Sequence, residues 1–95
     1  MPAYAIFLRE HLRDPETMAG YYDRLPQTFE GHSVVRRASH GALERLEGAA
    51  AESVVVLEFP SVAAARAWYD SAAYREARRF RHLAADYRAF IVEGV

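Results

Sequence analysis

Cysteine and lysine are both missing from this 95-residue chain. Without cysteine there can be no disulfides and no thiolate chemistry, so packing alone must hold the fold together. Without lysine, all 12 cations are arginine, set against 13 acidic residues for a net charge of -1. Near-neutrality argues against non-specific nucleic-acid binding, which relies on an excess of positive potential. Heavy use of alanine and arginine also suits a GC-rich coding sequence. No apolar run is long enough to span a membrane. The start, Met1-Pro2-Ala3-Tyr4, lacks the basic flank and long apolar core of a secretion signal. With only 4 prolines and 5 glycines, no linker divides the chain. What is present, 52% hydrophobic and 26% charged residues, suits a globular core and not a disordered chain. The expectation is one soluble cytoplasmic domain over residues 1–95 that buries about 65% of its unfolded surface.

Hydrophobic periodicity supplies the elements. Ala3 to Glu10 alternates as a strand, with Tyr4, Ile6 and Leu8 on one face and Ala5 and Phe7 on the other. Asp14-Pro15-Glu16 is a helix start, and Met18, Tyr22, Leu25 and Phe29 form one helical stripe. Pro26 is expected to kink or end that helix near Leu25, with Gly31 marking the exit. His32 to Ser39 reads as a second strand despite Arg36 and Arg37. A long connection follows to Ser53, with a short strand expected near Leu43 to Leu46. Val54 to Phe59 is β-branched and apolar on both faces, and Pro60 stops it. Ser61 caps a second helix through Trp68, Ser71 caps its continuation from Ala72 to Ala84, and Tyr87 to Glu93 closes the chain as a strand. The order βαββαβ predicts an α+β, ferredoxin-like fold: a four-stranded antiparallel sheet with two helices on one face.

Two helices can cover only one side of that sheet. Yet Val54 and Val56 point away from Val55, Leu57 and Phe59, and Ala89 and Ile91 point away from Phe90 and Val92. The uncovered face, about 400 Å² of backbone area, would be apolar and too large to leave wet on a monomer. A homodimer through the sheet faces is the simplest cover, since two-fold dimers are the commonest oligomer.

Short motifs fall in register with a known family. Glu47-Gly48 precedes the third strand and Glu58-Phe59-Pro60-Ser61 ends it. Trp68-Tyr69-Asp70-Ser71 and Tyr74 follow, with Arg81 seven residues on and Glu93-Gly94 at the end. In these segments the chain resembles domain-of-unknown-function family 1330, over about Tyr4 to Gly94. The resemblance implies a ferredoxin-like fold paired into a dimeric α+β barrel; it implies no particular activity. The chain departs from that pattern at Glu30-Gly31, where the family has Gly-Gly, at Arg37, where it often has glycine, and in the loop Ala49-Ala50-Ala51. Those positions surround the expected pocket mouth, so the ligand is expected to differ from that of relatives.

Arg36 and Glu58 stand on neighbouring strands that are otherwise largely apolar, which a charged residue needs a reason to join. They are either a self-satisfying ion pair or a catalytic pair, Arg36 holding a carboxylate or enolate oxygen while Glu58 moves a proton. His32 and His40 bracket the second strand, each a turn residue or a base near a pocket, with His32 the stronger catalytic candidate. Trp68, Tyr69 and Tyr74 either pack as core or line a ligand pocket. The resemblance adds Arg81 to that pocket set, apart from the solvated helix face of Arg75, Arg78 and Arg79. No metal-ligand spacing, nucleophile elbow or phosphate-binding glycine loop occurs, so no metal, cofactor or nucleotide is expected. The leading reading is a homodimer binding a small organic molecule. As an enzyme it would be a cyclase or isomerase working by proton transfer on a polyketide-like or keto-acid substrate, or a cofactor-free oxygenase by analogy of fold. The alternative is a non-catalytic ligand-binding or assembly module.

Overall fold

The computed structural model describes all residues, Met1–Val95. In chain order they form β1 (Ala3–Leu12), α1 (Pro15–Thr28), β2 (Val35–Ser39), β3 (Ser53–Phe59), α2 (Val62–Tyr69), α3 (Ala72–Ala84) and β4 (Ala85–Glu93). The strands make one antiparallel sheet in the order β2-β3-β1-β4, the ferredoxin-like arrangement, with every helix on the same side. No helix is long and apolar enough to cross a membrane.

Local chemistry sets the boundaries. The Asp14 carboxylate accepts from the Thr17 backbone N–H (3.2 Å) and hydroxyl (2.7 Å), which caps α1 just before Pro15. Pro26 does not stop α1 at Leu25; the helix runs on to Thr28. The proline falls in the last turn, where a single lost N–H bond is tolerable. The Phe29 N–H then closes the end on the Pro26 carbonyl at 3.2 Å. The second helix is two helices. Ser71 separates them by donating to the Trp68 carbonyl (2.7 Å) and accepting from the Tyr74 N–H (3.2 Å). The second strand is shorter than expected, starting at Val35, and Leu43 to Leu46 is irregular chain without strand pairing.

Beneath the helices, Ala5, Phe7, Leu57 and Phe59 are buried in one cluster with Trp68, which is 1% exposed. The rings of Phe7, Phe29, Phe59 and Tyr74 surround that indole at centroid distances of 6.0, 5.6, 5.4 and 4.1 Å. Its Nε1–H donates to the Thr28 hydroxyl at 3.1 Å, so the buried polar atom is satisfied. A clasp closes one end of the layer pair. Arg13 donates to the His82 and Leu83 carbonyls at 3.1 and 3.2 Å and pairs with Asp86. The backbone N–H groups of Arg13 and Asp14 reach the Ala84 carbonyl at 2.8 and 3.0 Å. The last carbonyls of α3, orphaned by the helix end, are thus all engaged.

The other sheet face has no cover. Ile6 lies between Val56 and Phe90, Tyr4 between Glu58 and Val92, and Leu8 between Val54 and Arg88. Phe90 and Val92 are 52% and 48% exposed. The protein is a slab of 32 × 31 × 17 Å, two layers thick. Its accessible surface is 6066 Å², above the ~5,500 Å² that a compact monomer of this mass presents.

Candidate functional site

The clearest cavity, about 220 Å³, lies between α1 and the sheet. Strand alternation brings Phe7, Val55, Leu57 and Tyr87 to its floor, and the α1 stripe of Tyr21, Tyr22, Leu25, Pro26 and Phe29 roofs it. Arg36, Ser39 and His40 from the β2 edge form its mouth. An apolar enclosure with few polar groups at one end is the form small-molecule sites take.

Those polar groups are held in place. His40 follows β2 with φ of 57°, a left-handed conformation uncommon for a side-chain-bearing residue. Its backbone N–H donates to the Val54 carbonyl at 3.2 Å and its ring Nδ1 meets the Ser53 hydroxyl. The ring edge rests on Tyr22, with centroids 5.5 Å apart. Burial, then the nearby Arg9 charge, lowers the His40 pKa and favours its neutral form. Arg9 Nη1 donates to the Tyr22 hydroxyl at 3.4 Å, while its Nε pairs with Glu52 at 3.1 Å. Burial, followed by the Tyr22 hydroxyl, raises the Tyr87 pKa, so this phenol stays protonated at neutral pH. The Arg36 guanidinium sits 5.5 Å from the Phe29 ring centroid.

Arg36 and Glu58 do not form a pair. Arg36 is registered opposite Leu57 and shares its helix-side face, whereas Glu58, one residue further, points to the uncovered face. A bulge between Arg36 and Ala38 leaves Arg37 as the extra residue, and Arg37 Nε meets Glu58 Oε1 at 2.9 Å. His32 is half-buried in the turn after α1, its N–H on the Phe29 carbonyl at 3.0 Å, and does not line the cavity. Trp68 and Tyr74 belong to the core. The Tyr74 hydroxyl bonds that of Tyr21 at 2.9 Å; burial raises both phenol pKa values, and the Arg81 charge opposes this. Tyr69 and Arg81 line a separate cleft beside β4. No group of three or more histidine or acidic side chains is placed to hold a metal.

Tyr21, Tyr22, Ser39, Ser53 and Tyr87 were not among the site residues expected from sequence. Tyr22 does lie on the helical stripe, and that was the available signal. Ser39 and Tyr87 come from strand ends that are distant in sequence.

These features define a small α+β protein of ferredoxin-like fold with a mainly apolar cavity between one helix and the sheet. The chain belongs to the family described as Domain of unknown function (DUF1330), which it matches over residues 2–95. RPA0582 of Rhodopseudomonas palustris, a protein of unknown function, is 27% identical with a TM-score of 0.63, the match covering 99% of this chain and 82% of that one. Its methylated form aligns with a TM-score of 0.77 at 24% identity, over 99% and 81% of the two chains. A dimeric ferredoxin-like protein of unknown function from Thermobifida fusca shares 18% identity and a TM-score of 0.67, over 99% and 92% of the chains. SnoaB, a cofactor-independent oxygenase from Streptomyces nogalater, shares 12% identity and a TM-score of 0.64 over the same fractions. No match was found among the curated proteins.

Proposed function

We propose that two cytoplasmic copies of this chain pair through their uncovered sheet faces into a dimeric α+β barrel, and that each binds a small organic molecule under α1 and moves a proton on it. The observation that carries the reading is the cavity itself: an aromatic-roofed apolar space with Arg36 and His40 gathered at one mouth. His40, kept neutral and steadied by Ser53, is the base in this reading. Arg36 holds the oxygen on which negative charge develops, and Tyr22 and Tyr87 supply hydrogen-bond donors. Abstraction of a proton next to a carbonyl, as in isomerisation or cyclisation of a keto acid or polyketide-like chain, needs only such groups. The reading therefore calls on no metal, nucleotide or other cofactor. Glu58 and His32, outside the cavity, take no part in it. Pairing is supported by the apolar residues left bare and by the dimeric state of the Thermobifida relative.

Exchange of the α-protons of phenylpyruvate into heavy water, followed by NMR, tests the chemistry. Wild-type protein accelerates exchange; His40→Asn, which tolerates a left-handed backbone, loses about 100-fold of it, and Glu58→Gln keeps it. Leu25→Trp, which fills the cavity, abolishes it. Exchange no faster with wild type than without protein would favour the non-catalytic module. Equal acceleration by wild type and His40→Asn would remove His40 as the base, and oxygen uptake in place of exchange would point to oxygenation.

A further inference from the structure

Arg81 is 3% exposed, yet its guanidinium makes none of the chain's ion pairs, and its Nε is sealed from solvent without a hydrogen-bond partner. Its surroundings are aromatic: the rings of Tyr87, Phe7 and Tyr21 stand 4.8, 5.3 and 5.9 Å from the guanidinium carbon. Ring faces attract a cation, but they offset only part of the cost of taking it out of water. The Tyr74 phenol also lies beside Arg81, but no carboxylate of the chain neutralises this buried charge, which leaves it suited to an anion from outside. Arg81 lines an open cleft beside β4, together with Tyr69, His82, Asp86 and Tyr87.

That cleft has a positive character. The Arg78 guanidinium lies 4.3 Å from the Tyr69 ring centroid and donates to the Tyr69 carbonyl at 3.3 Å. Its one carboxylate, Asp86, is already paired with Arg13. Burial, then the Arg81 and Arg78 charges, lowers the His82 pKa, so this ring adds no opposing charge to the cleft.

We infer that the cleft between Tyr69, Arg81 and Tyr87 binds the carboxylate of a small aromatic acid, the anion meeting Arg81 and the ring lying between the two tyrosines. A planar guanidinium matches a carboxylate bidentately, and the flanking tyrosine rings suit a flat apolar body. The site is distinct from the α1 cavity, although Tyr87 borders both.

Benzoate and its uncharged analogue benzamide, titrated into nitrogen-15-labelled wild-type protein, test this directly. The Arg81 Nε resonance and the Tyr69 and Tyr87 amides shift saturably with benzoate, and benzamide binds about 10-fold more weakly or worse. Arg81→Met, close in volume but uncharged, removes the preference for benzoate; Tyr69→Ala weakens binding with the resonance still responsive. Shifts confined to Tyr22 and His40 would place the acid in the α1 cavity and overturn the inference. So would equal binding of the two probes, or an Arg81 resonance unmoved at saturating benzoate. The two-probe comparison decides the matter on wild-type protein even where Arg81→Met fails to fold.

Discussion

Phe7, Leu57 and Phe59 are buried beneath the helices, while Ile6 and Val56, one residue along the same strands, look out on nothing. The chemistry on the two sides is nearly the same; the difference lies in what each side meets. On the covered side, aromatic rings interlock around Trp68, the indole N–H is answered, and the α1 cavity opens beside them. On the bare side, valine, isoleucine and phenylalanine lie flat, with the Arg37–Glu58 pair at the β2 margin. The covered side is built for depth, whereas the bare side is built as a plane, the form that the proposed pairing with a copy requires.

The sharpest way to break this comparison is on the covered side. Trp68→Ala removes the centre of the ring cluster and is expected to cost about 3–5 kcal/mol. For a domain of this size that lowers Tm by about 12 °C or more, measured by thermal unfolding. The counterpart on the bare side is Val56→Asp, opposite Ile6. It should leave helix content intact and shift the sedimentation mass from twice 10.8 kDa towards the single chain. A wild-type mass of 10.8 kDa at micromolar concentration would remove the pairing altogether.

The smallest effect is a pH dependence arising on the helix side. Burial and neighbouring arginines lower the pKa of His40 and His82, so the unfolded chain binds protons more readily than the fold does. Stability is therefore full above the ordinary histidine value of 6.5 and declines as pH falls through it. Unfolding midpoints between pH 7.5 and 5.5 should show this slope, and a His40→Asn, His82→Asn double variant should flatten it.

Much of this architecture was legible in the sequence because its signals are local. Strand alternation, the Asp14, Ser61 and Ser71 caps and the apolar run at Val54 each act within a few residues. The unpartnered apolar face followed from counting layers. The site was less legible because its parts meet only in space. One bulge residue decides that Arg37, and not Arg36, finds Glu58, and nothing in the neighbouring charges announces a bulge. His40 reaches the cavity through a left-handed turn that a histidine seldom adopts. The resemblance singles out Arg81 from the other arginines of its helix, but its burial among Phe7, Tyr21 and Tyr87 shows only in the packing.

The Arg13 clasp has a consequence for traffic. It ties the beginning of α1 to the junction of α3 and β4, and that junction has no intervening loop to yield. The far half of α1 carries Pro26, with one rung missing from its ladder, and ends over a strand at the margin of the sheet. On the proposed function, a guest of the α1 chamber would enter and depart by the Pro26 half, the half that the clasp leaves untied.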